Sequence, residues 1–341
     1  GLICTTQGVN TFIPFAPVMV MLAMAMGLDS ITGEAIMVLG GAIGFSTGTF
    51  NMFTTVVAQS IAELPTYSGL WYRAVCFVVF YIVTNIYLIR YAKKVQKNPE
   101  SSPMYDLDQL MKDNSAGMDL EKASHLTGRM LIPLVLLIIS FAAIIYGAIA
   151  LKWGMSHMAA IFLTYAVIAD LVIGTSPNGV CKDILEGSKK MLGATFIIGM
   201  ATAISSVMND GHITYTIVHS MAEILSGLPP VVIAPGMVLA NTIINVFLTS
   251  GSGQAVAVMP ILIPLADVLG VTRQTTVLAF NFGDGFCNYI LPTSTALMGT
   301  LSVTNIPYDR WMRFMWKLFV IWQITGCVMA FIAQLIHLGP M

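Results

Sequence analysis

The chain has 341 residues, a formal net charge of −1, 56% hydrophobic residues and only 10% charged ones, with a mean hydropathy of +0.80. A soluble domain carries about 25% charged residues, so lipid must be the solvent for much of this surface. That balance excludes an ordinary water-soluble globule, and the lack of a basic patch outside the loops argues against a nucleic-acid partner.

The first element is a polar tip, Thr5-Thr6-Gln7-Gly8-Val9-Asn10-Thr11, followed by an apolar run from Pro17 to Gly27. Together they read as the tip and return arm of a re-entrant hairpin. The chain opens inside this motif at Gly1, without an initiator Met or signal peptide, and reads as a fragment lacking N-terminal helices. A glycine-broken apolar helix follows over 40–51, Gly40-Gly41-Ala42-Ile43-Gly44-Phe45-Ser46-Thr47-Gly48-Thr49-Phe50-Asn51, and then a span over 74–89. Glu34 and Glu63 lie near span ends and read as solvated.

The polar segment 90–129 comes next. Arg90, Lys93, Lys94, Lys97, Lys112, Lys122 and Arg129 cluster in or beside it, and Asn98-Pro99-Glu100-Ser101-Ser102-Pro103 marks it as a linker. The positive-inside rule makes it cytoplasmic. Further spans are expected at 130–151, 158–174, 231–247 and 314–336, each near the roughly 20 residues that cross a bilayer. Counting through them places Lys182, Lys189, Lys190, Arg310, Arg313 and Lys317 on the same side, leaving Arg73, Lys152 and Arg273 outside. Asp210, in Met208-Asn209-Asp210-Gly211-His212, is either a break in the helix from Met191 onward, with His212 as proton partner, or an interfacial turn.

The second half repeats the first. Thr249-Ser250-Gly251-Ser252-Gly253-Gln254 precedes an apolar run from Pro260 to Gly270, and one offset of 243 residues relates Thr6 to Thr249, Gly8 to Gly251, Pro17 to Pro260 and Gly27 to Gly270. Gly40 lands on Gly283, inside a second broken helix over 281–295, Asn281-Phe282-Gly283-Asp284-Gly285-Phe286-Cys287-Asn288-Tyr289-Ile290-Leu291-Pro292-Thr293-Ser294-Thr295. Trp71-Tyr72-Arg73 is echoed by Trp311-Met312-Arg313. By the span count, 9–26 descends from mid-membrane to the cytoplasm, whereas 255–269 runs from mid-membrane to the outside. Like sequences pointing in opposite directions are an inverted repeat. The division is a truncated first repeat over 1–92, a cytoplasmic linker over 93–128, and a second repeat over 129–341 with a hairpin near 249–254, a broken helix near 281–295 and a final span.

Tips and breaks are where chemistry is expected. Non-helical backbone at membrane depth is tolerated only inside protein or against a water-filled cavity. Helix N-termini there bind carboxylates, and freed carbonyls hold Na⁺. The candidate substrate and ion contacts are Thr6, Gln7, Gly8, Asn10 and Thr11 in the first tip and Gly44, Thr47, Thr49 and Asn51 in the first break. Ser250, Gly251, Ser252, Gly253 and Gln254 in the second tip join them, with Asp284, Asn288, Thr293 and Ser294 in the second break. A carboxylate at mid-membrane costs roughly 2.5–3.5 kcal/mol, so Asp284 should face a cavity, hold a cation or carry a proton, unless it is a helix-capping Asp near the span's end. Asp284, Asp210 and His212 are the coupling candidates, for Na⁺ or H⁺. No Lys or Arg falls in these regions, which argues mildly against a salt-bridged dicarboxylate. Cys4, Cys76, Cys181, Cys287 and Cys327 show no CxxC spacing and the histidines no HExxH. Neither metal, disulfide framework nor cofactor is indicated, and the cysteines read as buried small hydrophobes.

Several of these stretches resemble the YfcC/DcuC-type carriers of the ion-transporter superfamily. They are Ser250-Gly251-Ser252-Gly253-Gln254, Met259-Pro260-Ile261-Leu262-Ile263-Pro264-Leu265-Ala266-Asp267, Arg273-Gln274, Phe282-Gly283-Asp284-Gly285 and Leu291-Pro292-Thr293-Ser294, with Gly40-Gly41-Ala42-Ile43-Gly44-Phe45 and Asn51 in the first half. The resemblance runs over essentially the whole chain. It implies a secondary transporter of the bacterial inner membrane, multi-pass and commonly a homodimer, moving anionic or zwitterionic solutes by an elevator-type motion. YfcC-like members are described as basic amino acid antiporters and DcuC-like members as C4-dicarboxylate carriers. Gln7-Gly8-Val9-Asn10-Thr11 stands where acidic residues are usual in YfcC-like relatives, and Asn288-Tyr289 where Thr/Asn types are usual, which bears on substrate charge.

The expectation is an all-α polytopic membrane protein, an inverted-repeat transporter with two re-entrant hairpins and two broken helices. Its expected work is ion-coupled or exchange transport of a small carboxylate-bearing solute. Asp284 favours an amino acid, with a C4-dicarboxylate as the alternative. A channel would need a continuous polar pore face, and an intramembrane enzyme a nucleophile with a base, for which only Asp210 with His212 is at hand.

Overall fold

The computed structural model describes residues 13, 15–115, 155–213 and 229–339, with scattered positions within 132–147 and 216–227. Among them every regular element is helical. In chain order these are α1 (Ala16–Ala25), α2 (Ser30–Ser46), α3 (Thr55–Ile61), α4 (Leu70–Lys97), α5 (Tyr105–Ser115), α6 (Met155–Ile173), α7 (Pro177–Asp210), α8 (Pro230–Phe247), α9 (Gly251–Leu269), α10 (Arg273–Cys287), α11 (Thr295–Thr304) and α12 (Tyr308–Leu335). Leu70–Lys97, Gly251–Leu269 and Tyr308–Leu335 are long and apolar enough to cross a bilayer.

Two compact units form. One comprises residues 1–106 and 193–341, and the other residues 107–192, which include α6 and the first part of α7. The repeated helices lie in the first unit.

Its helices recur in order. α1 to α4 correspond to α9 to α12, and the starts of α2 and α10, Ser30 and Arg273, keep the offset of 243. The turn before them recurs. Gly27 and Gly270 both adopt positive φ, +77° and +72°, a conformation that ends helices with little strain only when the residue is glycine. Each is followed by the same return bond, Leu28 N–H to Ala23 O at 3.0 Å and Val271 N–H to Ala266 O at 2.9 Å. Each next helix is then capped, Asp29 accepting from the Thr32 N–H at 2.9 Å and Thr272 from the Thr275 N–H at 3.2 Å, which satisfies donors that a helix start leaves orphaned.

The packing is reciprocal as well. α1 packs on α11 as α9 does on α3, and α2 on α11 as α10 does on α3. α2 meets α10, and α4 meets α12. α4 and α12 are stitched by polar bonds, from Tyr72 OH to Met329 O at 2.6 Å, Tyr87 OH to Phe314 O at 2.6 Å and Trp322 Nε1 to Thr84 Oγ1 at 2.8 Å. Between them Phe80, Phe286 and Trp322 pack in series, with centroid distances of 4.3 Å and 4.8 Å. Such pairs add about 0.5–1.5 kcal/mol each beyond their burial.

The segment read as a linker is partly ordered. α4 runs on to Lys97, a turn follows at Pro99–Ser101, and α5 begins at Tyr105. Arg310, at the head of α12, holds this stretch through the Pro103 carbonyl and Asp106. Of the cysteines, Cys76 and Cys287 are buried, but Cys181 is exposed, because it sits on the open face of α7.

Candidate functional site

Two non-helical turns interrupt the matched helix pairs, over 47–54 and 288–294. They lie one step later than the glycines suggested. α2 runs unbroken through Gly40, Gly41 and Gly44, and α10 through Gly283, Asp284 and Gly285. The reason is packing. A Cβ at Gly283 would lie 2.6 Å from the Val238 carbonyl oxygen and 2.9 Å from the Thr242 nitrogen, and one at Gly285 would strike Ser46. These glycines let α8, α10 and α2 touch backbone to backbone. Polar side chains make the breaks instead. Asn51 Nδ2 donates to Phe45 O at 3.0 Å while its Oδ1 accepts from the Phe53 and Thr54 N–H groups. Thr47 donates to Ile43 O at 2.8 Å, with Thr49 beside it at 3.4 Å.

Asp284 is fully buried, and neither of its carboxylate oxygens has a hydrogen-bond partner. It does not cap its own helix, since α10 continues to Cys287. Its carboxylate faces the first turn of α9, where a Cβ at Gly251 would lie 2.9 Å from Oδ2 and 2.5 Å from the Thr54 methyl. The positive end of a helix dipole favours a negative group there. Around it runs a ladder of amides. Asn245 Nδ2 donates to the Asp284 carbonyl at 2.9 Å and to Asn288 Oδ1 at 3.2 Å, Asn288 Nδ2 donates to the same carbonyl at 3.0 Å, and Gln254 Nε2 donates to Asn241 O at 3.1 Å. Asn245 Oδ1, Gln254 Oε1 and Asn281 Oδ1 remain unpartnered acceptors.

Gly251 thus stands against the Asp284 carboxylate and Asn288 against its main-chain carbonyl, while Gln254 is turned to Asn241. Ser250 caps α9 through the Gly253 N–H, and Ser250, Ser252 and Gly253 are exposed at the tip. Ser294 caps α11, while the Thr293 hydroxyl is buried without a partner. Gly44 is buried inside α2. Thr6, Gln7, Gly8, Asn10 and Thr11 lie outside the described residues. Asp210 ends α7 and His212 lies in the turn that follows, both exposed. No group of three or more His, Cys, Asp or Glu gathers to hold a metal ion among the described residues.

Two buried charges escaped the sequence. Arg73 is 1% exposed. Its Nη2 donates to Gln274 Oε1 at 3.2 Å, Nη1 has no partner, and a Cβ at Gly48 would lie 3.0 Å from Nη1. Asn281 reaches the same turn through Thr55 Oγ1 at 2.9 Å, and Thr55 donates to Gly48 O at 3.1 Å. An arginine thus does stand beside the first break. Its repeat counterpart Arg313 is 63% exposed and lies 3.7 Å from Asp309. A lone cation at the start of an apolar helix was the available signal. The other is Glu34, fully buried rather than solvated. Asp29 takes the helix start, so Glu34 lies more than a turn inside, whereas Glu63 is exposed and pairs with Arg273 at 3.1 Å.

Comparison with known proteins follows this geometry. A protein of Escherichia coli (strain K12) named "Putative basic amino acid antiporter YfcC" is 34% identical over 334 residues, covering 95% of this chain and 65% of that protein. An uncharacterized protein of Haemophilus influenzae (strain ATCC 51907 / DSM 11121 / KW20 / Rd) is 30% identical over 327 residues, 95% of this chain and 63% of the relative. The chain spans just under two thirds of the length of these relatives. The solved Alcanivorax borkumensis YdaH transporter aligns with 99% of this chain and 77% of its own at a TM-score of 0.49 and 16% identity, a likeness too weak to build on. The family model described as the C4-dicarboxylate anaerobic carrier, DcuC, matches residues 2–335. With apolar helices of spanning length and a family match over nearly its whole length, this membrane protein belongs to the DcuC family of transporters.

Proposed function

We propose that the chain is the core of a secondary active transporter of the bacterial inner membrane, multi-pass and homodimeric. It moves a small carboxylate-bearing solute by ion coupling or exchange. The observation that carries this is Asp284, a fully buried carboxylate with two free oxygens set against the hairpin-like start of α9. Buried charge without a partner is costly and marks function inside membranes. Asp284 takes the amine of an amino acid or the coupling cation, Na⁺ or H⁺. In this reading Gly251, Gln254 and Asn288 contribute to the same site, and Thr6, Gln7, Gly8, Asn10 and Thr11 form its repeat-related counterpart. The reciprocal packing supports an inverted repeat, with re-entrant hairpins preceding α1 and α9 and the division 1–92, 93–128 and 129–341.

Arg73 favours a second reading. An unpaired guanidinium beside the break suits a second carboxylate, and the family's described substrate is a C4-dicarboxylate. Counterflow with the full-length carrier in proteoliposomes separates the two. Exchange of arginine or a neutral amino acid without succinate supports the amino acid, and succinate exchange alone supports the dicarboxylate. Failure of all of them, with and without a Na⁺ gradient, defeats the transport reading.

A further inference from the structure

Glu34 lies in α2, and both its carboxyl oxygens are buried without a hydrogen-bond partner. Gly33 explains the burial. A Cβ there would lie 2.5 Å from Val20 Cα and 2.7 Å from the Met19 carbonyl, so α1 and α2 meet backbone to backbone. Across the contact, α11 turns Thr300 and Thr304 toward the carboxyl. The Thr300 hydroxyl donates to Leu297 O at 2.9 Å, and the Thr304 hydroxyl to Thr300 O at 2.8 Å. Each hydroxyl has one hydrogen and already has a backbone acceptor in its own helix, so an ionised Glu34, which is acceptor-only, gains a donor from either only when that bond is released. In the geometry described, both carboxyl oxygens stay buried without a partner, which disfavours the charged form.

No charge offsets it among the described residues. α1 and α11 carry no ionisable side chain. Asp29 on α2 is engaged by Thr32, Tyr91 and Ser102. On α4, Tyr87 is turned to Phe314 O and Arg73 to Gln274, and on α10 Asp284 faces Gly251.

We propose that Glu34 is a proton-carrying site, distinct from the solute site, that couples solute movement to proton movement. This rests on the transport reading above. The linkage is direct along the chain. α11 begins at the 288–294 turn, Ser294 caps it through the Leu297 N–H, and the Leu297 carbonyl takes the Thr300 hydroxyl. When that turn rearranges around a solute, α11 shifts against α2 and a threonine hydroxyl swings from its carbonyl to Glu34. It then donates to the carboxylate, and the Glu34 O–H bond breaks with its proton passing to water on one side. On return, the carboxylate takes a proton from water on the other side, and no other bond changes.

The test uses the full-length carrier in proteoliposomes with a pH dye inside, with arginine and with succinate as solutes. Wild type should move protons with the solute, and Glu34→Gln, which keeps a donor, should exchange the solute with complete loss of the pH signal. Equal proton movement in both proteins, or none in wild type that transports, overturns the proposal. Infrared difference spectra of wild type against Glu34→Gln in bilayers at neutral pH decide independently of solute. A carboxylic-acid C=O band lost in the variant supports a protonated Glu34, and its absence overturns it. If neither solute moves, the transport reading fails while the infrared result still judges Glu34.

Discussion

Two side chains set opposite demands on the 47–54 turn. Asp284 and Arg73 approach it from Thr54 and from Gly48 and Thr55, and neither has an ionic partner among the described residues. Leaving a buried charge uncompensated costs about 3–5 kcal/mol, so a solute that pairs with either recovers much of that. Asp284→Asn should abolish counterflow while membrane expression stays at the wild-type level. Wild-type exchange in that variant would remove Asp284 from the mechanism. Arg73→Gln tests the carboxylate partner. Truncating one member of a buried, hydrogen-bonded charge pair costs about 2–5 kcal/mol, so half-saturation for succinate should rise about thirty-fold or more. Arg73→Lys should recover only part of that, because it keeps the charge but lacks the planar fork. Unchanged succinate affinity would make Arg73 a purely structural tie to Gln274.

At the scale of elements, glycine has two jobs that the sequence does not separate. Gly27 and Gly270 were legible as repeat partners because their spacing alone identifies them, and the structure uses both as helix stops. Gly283 and Gly285 have the same local signature but act through neighbours distant in sequence, Val238, Thr242 and Ser46. Only the fold reveals that, so the expected break fell one turn early. The second polar stretch, Ser250 to Gln254, coincides with the start of α9, whereas the first lies outside the described residues. Arg73 is the lone cation at the start of its helix, whereas its repeat twin Arg313 has Asp309 and Arg310 beside it, but that the first is buried against Gln274 and Gly48 follows only from the fold. A paired substitution measures the packing role. Gly283→Ala should destabilise by about 1–3 kcal/mol through overpacking, lowering the melting temperature in detergent. Gly187→Ala, with open space around it inside α7, should raise stability by up to about 1 kcal/mol. Equal shifts for both would show that α8 and α10 are not in close contact at Gly283.

For the whole molecule, the bonds of Tyr72 to Met329, Thr84 to Trp322 and Tyr87 to Phe314 run α4 and its counterpart α12 antiparallel, so the turns tied to their C-terminal ends lie at opposite ends of the unit. The turn after α1 is tied to the linker stretch, Asp29 Oδ2 accepting from Ser102 Oγ at 2.6 Å and Tyr91 OH at 2.5 Å near the basic end of α4. The turn after α9 is tied to the end of α12, Gln334 Oε1 accepting from the Thr272 N–H at 3.1 Å, and to Arg273 with Asp267 and Glu63. Lysines crowd the first end, Lys93, Lys94 and Lys97, and positive charge of that density stays in the cytoplasm. The second end has Arg273 balanced by two acids. The two turns are therefore expected on opposite sides of the membrane. Met26 and Val268 are exposed, 64% and 83%, at the two turns, so single cysteines there on a cysteine-free background report the geometry. A membrane-impermeant maleimide on intact cells should label Val268→Cys, and Met26→Cys only after permeabilisation. Labelling of both from outside would overturn the cytoplasmic placement of the turn after α1 and of the linker, and with it the assignment of two hairpins opening from opposite faces.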